Sequence, residues 1–478
     1  MNAVDSLFFF RSEIFLTIAL FVILILDFFI QQKKLLGWLS FIAIVIAFMI
    51  PPSFYPDEKL FFNHYVWDPF TFFFRAVAYM TIALTILASI AYEGIPQKQK
   101  GELYVMLLAM TILLTIMGGV ANLLMIFLAI ESVSLTSYLL VGFQKFDKRS
   151  SEASLKYVLF GAVSSAVMLF GMSFLFGATG TISLAKIGMA FTGAGEMQTI
   201  ILIGMLLLLV GIGFKISMVP FHMWAPDVYQ GAPTPITAFL TVAPKALGFA
   251  VMARVLLVAF PHLMHKWAPL LVGLSILTMT IGNLIAISQS DIKRLLAYSS
   301  IAQAGYILVG LATPGELGLQ AMMIYITAYL FTNLGAFLTV VAIERNIGSN
   351  QIEAYHGLSE RNPLLALALT IFLLSLAGIP PLAGFIGKIY IFSTAIQAHS
   401  IALAVAIALN SAVAAYYYFK VVKAMYLIPF SGINEPFKNP IPIKIAVVVT
   451  LLGTLVIGLW PMQFIRLAEQ SLVTLSIF

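Results

Sequence analysis

Four ionisable side chains stand inside long apolar stretches, where a charge is costly: Glu131, Lys215, Lys245 and Lys388. A charged lysine at the centre of a bilayer costs roughly 2.5–3.5 kcal/mol on the insertion scale, so each reads first as a functional group. Glu131 lies ten residues beyond Ala121, and Lys245 ten beyond Pro235. At the helical rise that is about 15 Å, half of a roughly 30 Å hydrocarbon core. Lysine suits proton transfer at such a depth. Loss of water favours its neutral form, and a nearby carboxylate favours the charged one. A Glu–Lys pair about 4 Å apart is worth about 4 kcal/mol at an effective dielectric near 20. Movement of Glu131 toward or away from Lys215 would therefore load or release a proton, with Lys245 accepting it and Lys388 passing it to one side. The competing role for Glu131 is a buried ion pair that fixes helix register.

Polar neighbours could hold linking waters: Ser134, Ser137, Tyr138, Ser217, Thr234, Thr237 and Thr241, each of which could equally be packing between helices. His222 is a candidate relay or a hydrogen-bonded structural histidine. Gln303 can hold water but takes up no proton near neutral pH, so it is a path-lining candidate only. Asp227 and Tyr229 are expected to cap a broken backbone, and Arg254 to extend toward a membrane surface.

The elements that would carry these residues are interrupted. Between Lys215 and Lys245 the chain reads SMVPFHMWAPDVYQGAPTPITAFLTVAP, with Pro220, Pro226, Pro233, Pro235 and Pro244. Before Lys388 it reads SLAGIPPLAGFIG, with Gly378, Pro380, Pro381, Gly384 and Gly387. Breaks in corresponding places of two halves point to a repeated transporter fold with its site near mid-membrane; the plainer alternative is a pair of proline kinks. The first reading gives two five-helix repeats, 103–258 and 267–425, each with a broken helix as its fourth element. An odd helix number makes them inverted relative to each other. Helices in 1–102 precede them, and a C-terminal helix in 426–478 follows.

The chain as a whole is a membrane protein by composition. Of its 478 residues 61% are hydrophobic and 10% charged, against roughly 25% charged in soluble domains. Apolar runs near 14–30, 35–51, 69–91, 103–118, 121–142, 153–177, 199–219, 235–258, 267–287, 295–313, 317–343, 363–394, 400–425 and 441–463 are each close to the length that crosses a bilayer. The fold class is thus all-α and polytopic, with about fourteen transmembrane helices. The stretch 179–198 is too polar and glycine-rich to cross and reads as a surface loop or short interfacial helix. The first apolar run lacks a basic leader and cleavage site, so it reads as a retained helix.

With the N-terminus outside, sixteen of the 26 lysines and arginines fall on the cytoplasmic side and six opposite, the other four being Lys215, Lys245, Arg254 and Lys388. An even helix number returns the C-terminus to the outside. The net charge of +6 is then orientation bias rather than a nucleic-acid surface. Zero cysteines leave no thiolate for iron–sulfur or zinc, and six histidines mostly in loops do not suit haem. No nucleotide-binding fingerprint is present. Any redox chemistry served by this chain is expected on other subunits.

The stretch FKISMVPFHMWAPDVYQGAPTPITAF with the following APKALG, and SDIKRLLAYSSIAQAGY at 290–306, resemble the signatures of the antiporter-like membrane subunits of respiratory complex I. The resemblance covers nearly the whole chain and is nearest to the N-type branch of NADH-quinone oxidoreductase. It implies a proton-translocating subunit with Glu131, Lys215, Lys245 and Lys388 on the proton path. It also implies neighbouring membrane subunits, and partner subunits that carry FMN and iron–sulfur clusters and bind NADH and quinone. The bacterial cell (inner) membrane is the implied location. Lys388 favours the N-type branch, since the M-type is expected to carry Glu there and the L-type a long C-terminal extension. Gln303 departs from the histidine expected in many N-type subunits, which would leave the central relay more dependent on water. The same family includes monovalent cation/proton antiporters, the alternative function.

Overall fold

The computed structural model describes residues 3–51, 58–190, 197–430 and 437–472. After a one-turn helix at Ala3–Leu7, its first long helices are α1 (Arg11–Phe29), α2 (Lys33–Met49), α3 (Pro69–Ala91), α4 (Lys100–Gly118), α5 (Leu123–Val141) and α6 (Lys148–Thr179). The first broken helix follows as α7 (Met197–Ile216) and α8 (Trp224–Gly231), then α9 (Thr234–Arg254), α10 (Met264–Ile287), α11 (Ile292–Ala312) and α12 (Glu316–Ile347). The second is α13 (Pro363–Ala377) with α14 (Ala383–Gln397), before α15 (Ile401–Leu427), α16 (Ile441–Leu459) and α17 (Met462–Leu472). Among the described residues twelve helices are long and apolar enough to cross a membrane. The 17-residue α2 and the α13/α14 pair complete the expected architecture of about fourteen crossings.

Local chemistry sets the boundaries. Asp68 accepts from the Thr71 backbone N–H ahead of Pro69 at the start of α3, and Asn122, Asp291 and Asn362 cap α5, α11 and α13 in the same way. Each satisfies a donor that the first helical turn leaves free. Gly180, Gly348 and Gly378 end α6, α12 and α13 in the left-handed region.

Four helices, α3, α9, α11 and α12, are buried nearly all round, whereas α1, α6 and α10 turn much of their surface outward. Helices apolar on every side belong at the centre of a membrane bundle, and side chains such as Phe21, Phe28, Val163 and Phe170 on the rim are exposed to the bilayer region. The buried lysines of interest stand on α9 and on the two broken helices.

The span 363–394, expected to be broken, is two 15-residue helices, because the chain turns at Gly378 and Pro380–Pro381 supply no N–H to continue the ladder. Two features differ from the sequence reading. The run expected to continue to 463 stops at Leu459, and α17 starts anew as a short helix with a polar face. A two-stranded antiparallel hairpin, β1 (Glu58–Leu60) and β2 (Tyr65–Trp67), lies between α2 and α3. Within 179–198, Leu184–Ala190 is a short helix and residues 191–196 lie outside the described residues. The chain ends at 1–2 and 473–478 lie outside them also.

Candidate functional site

The first break is built so that its loose backbone groups find partners. Beyond Ile216 the chain leaves the helix through Ser217, whose φ of 60° is unusual for a side-chain-bearing residue. The Val219 N–H donates to Thr278 Oγ1 on α10 at 3.1 Å, and Trp224 Nε1 donates to the Phe214 carbonyl at 3.1 Å. Trp224 also stacks on Tyr157 of α6, ring centres 4.3 Å apart. Of the expected caps, Asp227 and Tyr229, Asp227 does something else. Asp227 pairs with Lys156 at 2.9 Å and Arg294 at 2.7 Å, tying α8 to α6 and α11. Partial burial alone would raise the Asp227 carboxyl, but hydrogen bonds from Lys156 and Arg294 hold it below the usual carboxylate range. Tyr229 donates to the Leu240 carbonyl at 3.3 Å. That carbonyl lacks its helical partner because residue 244 is proline.

Lys215 ends α7 with 1% of its surface exposed, and its Nζ donates to Ser134 Oγ at 3.0 Å. Ser134 is one turn beyond Glu131 on α5. The Glu131 carboxylate accepts instead from the Ser165 hydroxyl of α6. Among the described residues no ion pair joins Glu131 to Lys215, so the two stand on adjacent serine anchors rather than on each other. Lys215 passes over Gly248 of α9, where a Cβ would come within 2.6 Å of Ile216 Cγ2 and 3.6 Å of Lys215 Cγ. The missing side chain lets the stem of Lys215 approach within one helical turn of Lys245 in sequence.

Lys245 is 2% exposed, donates to Ser300 Oγ at 2.9 Å and the Ser300 carbonyl at 3.2 Å, and lies 5.4 Å from the Tyr229 ring centre. The adjacent Ser299 shares a 2.5 Å hydrogen bond with Tyr418 Oη of α15. Gln303, one turn along α11, donates to Tyr418 Oη at 3.3 Å and to the Leu376 carbonyl at 3.2 Å, and accepts from the Tyr325 hydroxyl of α12. Lys388 donates to the Ala377 carbonyl at 2.8 Å and sits 4.7 Å over the Tyr306 ring. Residues 380 and 381, which would have bonded those two carbonyls in a continuous helix, are both proline. The double proline thus hands one carbonyl to Gln303 and the next to Lys388. Gly378, at φ 89°, makes the turn, and a Cβ there would meet Lys388 Cδ at 2.6 Å.

The model for the family described as NADH:quinone oxidoreductase/Mrp antiporter, TM, matches residues 120–414, the segment that holds both breaks and all four charged candidates. The NADH-quinone oxidoreductase subunit N of Trichlorobacter lovleyi is 42% identical, over 96% of this chain and 95% of its own. The chain belongs to this NADH:quinone oxidoreductase/Mrp antiporter family. Among solved structures, a chain of respiratory complex I from Thermus thermophilus with bound aureothin superposes with a TM-score of 0.79 at 31% identity, covering 96% of this chain and 100% of that one. A chain of the Mrp complex from Dietzia sp. shares the fold, with a TM-score of 0.82 at 20% identity over 96% of each chain.

In this member of the family, Lys245 rests on Ser300, Gln303 on Tyr418 and the Leu376 carbonyl, and Lys388 on the neighbouring Ala377 carbonyl, while Glu131 and Lys215 each rest on a serine of their own. His222 is half-buried in the first break and makes no hydrogen bond to Lys215, Lys245 or Gln303 among the described residues. Of the linking side chains expected from sequence, Ser134 contacts a buried lysine and Thr241 accepts from Asn333 at 2.8 Å, whereas Ser137 and Thr237 donate to backbone carbonyls and Thr234 to Glu344.

Arg254 corrects the sequence reading outright. It is 4% exposed, donates to Asp68 Oδ1 and Thr71 Oγ1 at 2.6 Å and to the Gly118 carbonyl at 3.1 Å. Burial among three helix ends, with a carboxylate already waiting at the α3 cap, replaces the route to the surface. A second buried pair, Arg75–Glu13 at 2.6 Å, lies nearby under Trp67. Sequence reasoning also missed Ser165, Ser300, Tyr325 and Tyr418. The serine doublet in AYSSIAQAGY and the tyrosine run at 416–418 were the available signals.

Proposed function

We propose that this chain is a proton-translocating membrane subunit of an NADH:quinone oxidoreductase. Membership in the family, a close relative named as subunit N and the likeness to a complex I chain support the assembly. One observation carries the chemistry: Lys215, Lys245 and Lys388 are each buried and held by neutral oxygens, namely Ser134, Ser300 and the Ala377 carbonyl. A lysine locked to a carboxylate must break an ion pair to lose its proton. One held by a hydroxyl or carbonyl loses only a hydrogen bond, so a passing change of local charge can switch it.

In this reading Glu131 and Lys215 form the input. Rotation of the carboxylate from Ser165 toward Lys215 favours the charged lysine, and its return releases the proton. The released proton is taken by Lys245, held by Ser300; beyond it Ser299, Tyr418, Gln303 and Tyr325 are hydrogen-bonded in turn. Hydroxyl groups can donate and accept together, and water is needed to cross from Ser300 to Ser299 and from this group to Lys388. Gln303 orients its two tyrosine neighbours but holds no proton itself.

The redox reaction belongs to other subunits. With no cysteine in its 478 residues, this chain does not fit an iron–sulfur cluster, and FMN, NADH and quinone are assigned to partner chains. We place both termini on the non-cytoplasmic side of the cell (inner) membrane, and divide the pump into inverted repeats 103–258 and 267–425 between the flanking segments 1–102 and 426–478.

The test uses membrane vesicles in which equal assembly of the complex has been confirmed. Lys215→Ala is expected to lower quinone-linked NADH oxidation and acidification together. Unchanged rates of both would remove Lys215 from the path. A cation antiporter subunit, favoured by the shared Mrp fold, would instead show acidification that depends on sodium gradients and persists without NADH.

A further inference from the structure

Away from the proton path, a cavity of about 290 Å3 opens where the ends of α2, α3, α4, α12 and α16 converge. Its charged lining is Lys34, Lys100, Arg345 and Glu93, and Trp38 forms part of the wall. These helix ends all lie on the lysine- and arginine-rich face. Lys100 is fully buried, and its Nζ donates to the Ser89 and Ile90 carbonyls at 3.0 and 3.1 Å, which leaves one of its three N–H groups. Arg345 pairs with Glu93 and donates to the Ala91 carbonyl at 3.2 Å, using part of a five-donor guanidinium. Lys34 has no hydrogen bond or ion pair among the described residues.

Three cations thus face one carboxylate around a space near the lower limit of small-molecule sites. Orientation bias explains lysines in open loops. It does not explain three cations gathered around one cavity with a single carboxylate among them. The position is also specific, because an indole at the headgroup level marks a membrane interface. Basic pockets between transmembrane helices on this side of a bilayer suit phosphate headgroups, which bring negative charge and several acceptor oxygens to donors otherwise left over.

We propose that this cavity binds the phosphate of an anionic phospholipid, with Lys34 and Arg345 as its principal donors, Lys100 adding positive charge from behind the wall, and Trp38 against the glycerol and upper acyl region. The site is independent of the proton path, so the outcome of either test leaves the other open. The probe is phosphatidylglycerol in phosphatidylcholine vesicles, added to the purified, delipidated whole complex. Retained lipid is counted after detergent washing, and Lys34 access is read with an amine reagent.

Phosphatidylglycerol should protect Lys34, and Lys34→Gln should reduce retained phosphatidylglycerol about fivefold, as loss of one lysine–phosphate contact implies. Lys423→Gln, an exposed lysine on the same face, should retain it fully. Because Lys34 carries no structural contact, its loss does not threaten folding as that of Lys100 would. Three results would each overturn the proposal: equal retention by Lys34→Gln, protection by inorganic phosphate as strong as by the lipid, or a Lys34 that stays unreactive after delipidation because a neighbouring subunit covers it.

Discussion

Gln303 shows how much one side chain does at the centre of this bundle. It satisfies the carbonyl that Pro380 leaves open and orients Tyr325 and Tyr418, so replacing it with leucine strands two buried polar groups, the Leu376 carbonyl and the Tyr325 hydroxyl, at roughly 1–3 kcal/mol each. Gln303→Leu should lower thermal stability and turnover together. Gln303→His can keep two of the three contacts and adds a group that can take up a proton. Turnover of that variant should then show an inflection absent from the native pH profile, whereas a pH profile superposable on the native one would take residue 303 off the path. Gly378→Ala forces a strained φ and drives a methyl into the Lys388 stem, at a cost of about 1–3 kcal/mol for the backbone alone. Proton pumping in Gly378→Ala should fall even in fully assembled complex. The three lysines were legible in sequence because a charge within an apolar run is conspicuous. Tyr325, Tyr418 and Ser300 were not, because tyrosine and serine pack unremarkably in membrane helices and only the partner across the bundle reveals their use.

At the scale of elements, the two breaks are the working parts. Prolines marked both in the sequence, and at the second break the structure shows why they matter: the missing N–H groups of Pro380 and Pro381 free two carbonyls that Gln303 and Lys388 then take. Pro380→Ala/Pro381→Ala returns two donors near Leu376 and Ala377. Competition for those carbonyls should loosen Gln303 and Lys388 and reduce turnover without preventing assembly. The first break is anchored outside the membrane core by Asp227. Its carboxyl is held below the ordinary range, so its ties to Lys156 and Arg294 stand at neutral pH and above, and are lost as pH falls through that depressed value. Asp227→Asn should therefore cost up to about 1 kcal/mol near neutral pH, less in high salt, and nothing extra at strongly acidic pH, measured by thermal unfolding. The hairpin β1–β2 escaped notice because three-residue strands give too little alternation to read.

Across the whole molecule, the central helices α3, α9, α11 and α12 form a scaffold locked at one end by Arg254–Asp68 and Arg75–Glu13. The number of crossings followed from hydrophobic run length alone. The Arg254–Asp68 pair did not, because its members are 186 residues apart and nothing in either local stretch names the other. Removing one member leaves a buried charge uncompensated, at roughly 3–5 kcal/mol. Arg254→Met should lower the amount of assembled complex while leaving turnover per assembled complex near native, which separates scaffold from path. The most direct test lies at Lys245, where the input and output halves meet. In vesicles with matched assembly, acidification and NADH oxidation should both collapse in Lys245→Met and both remain near native in the assembled fraction of Arg254→Met. Native rates of pumping and oxidation in Lys245→Met would show that protons do not travel through these lysines.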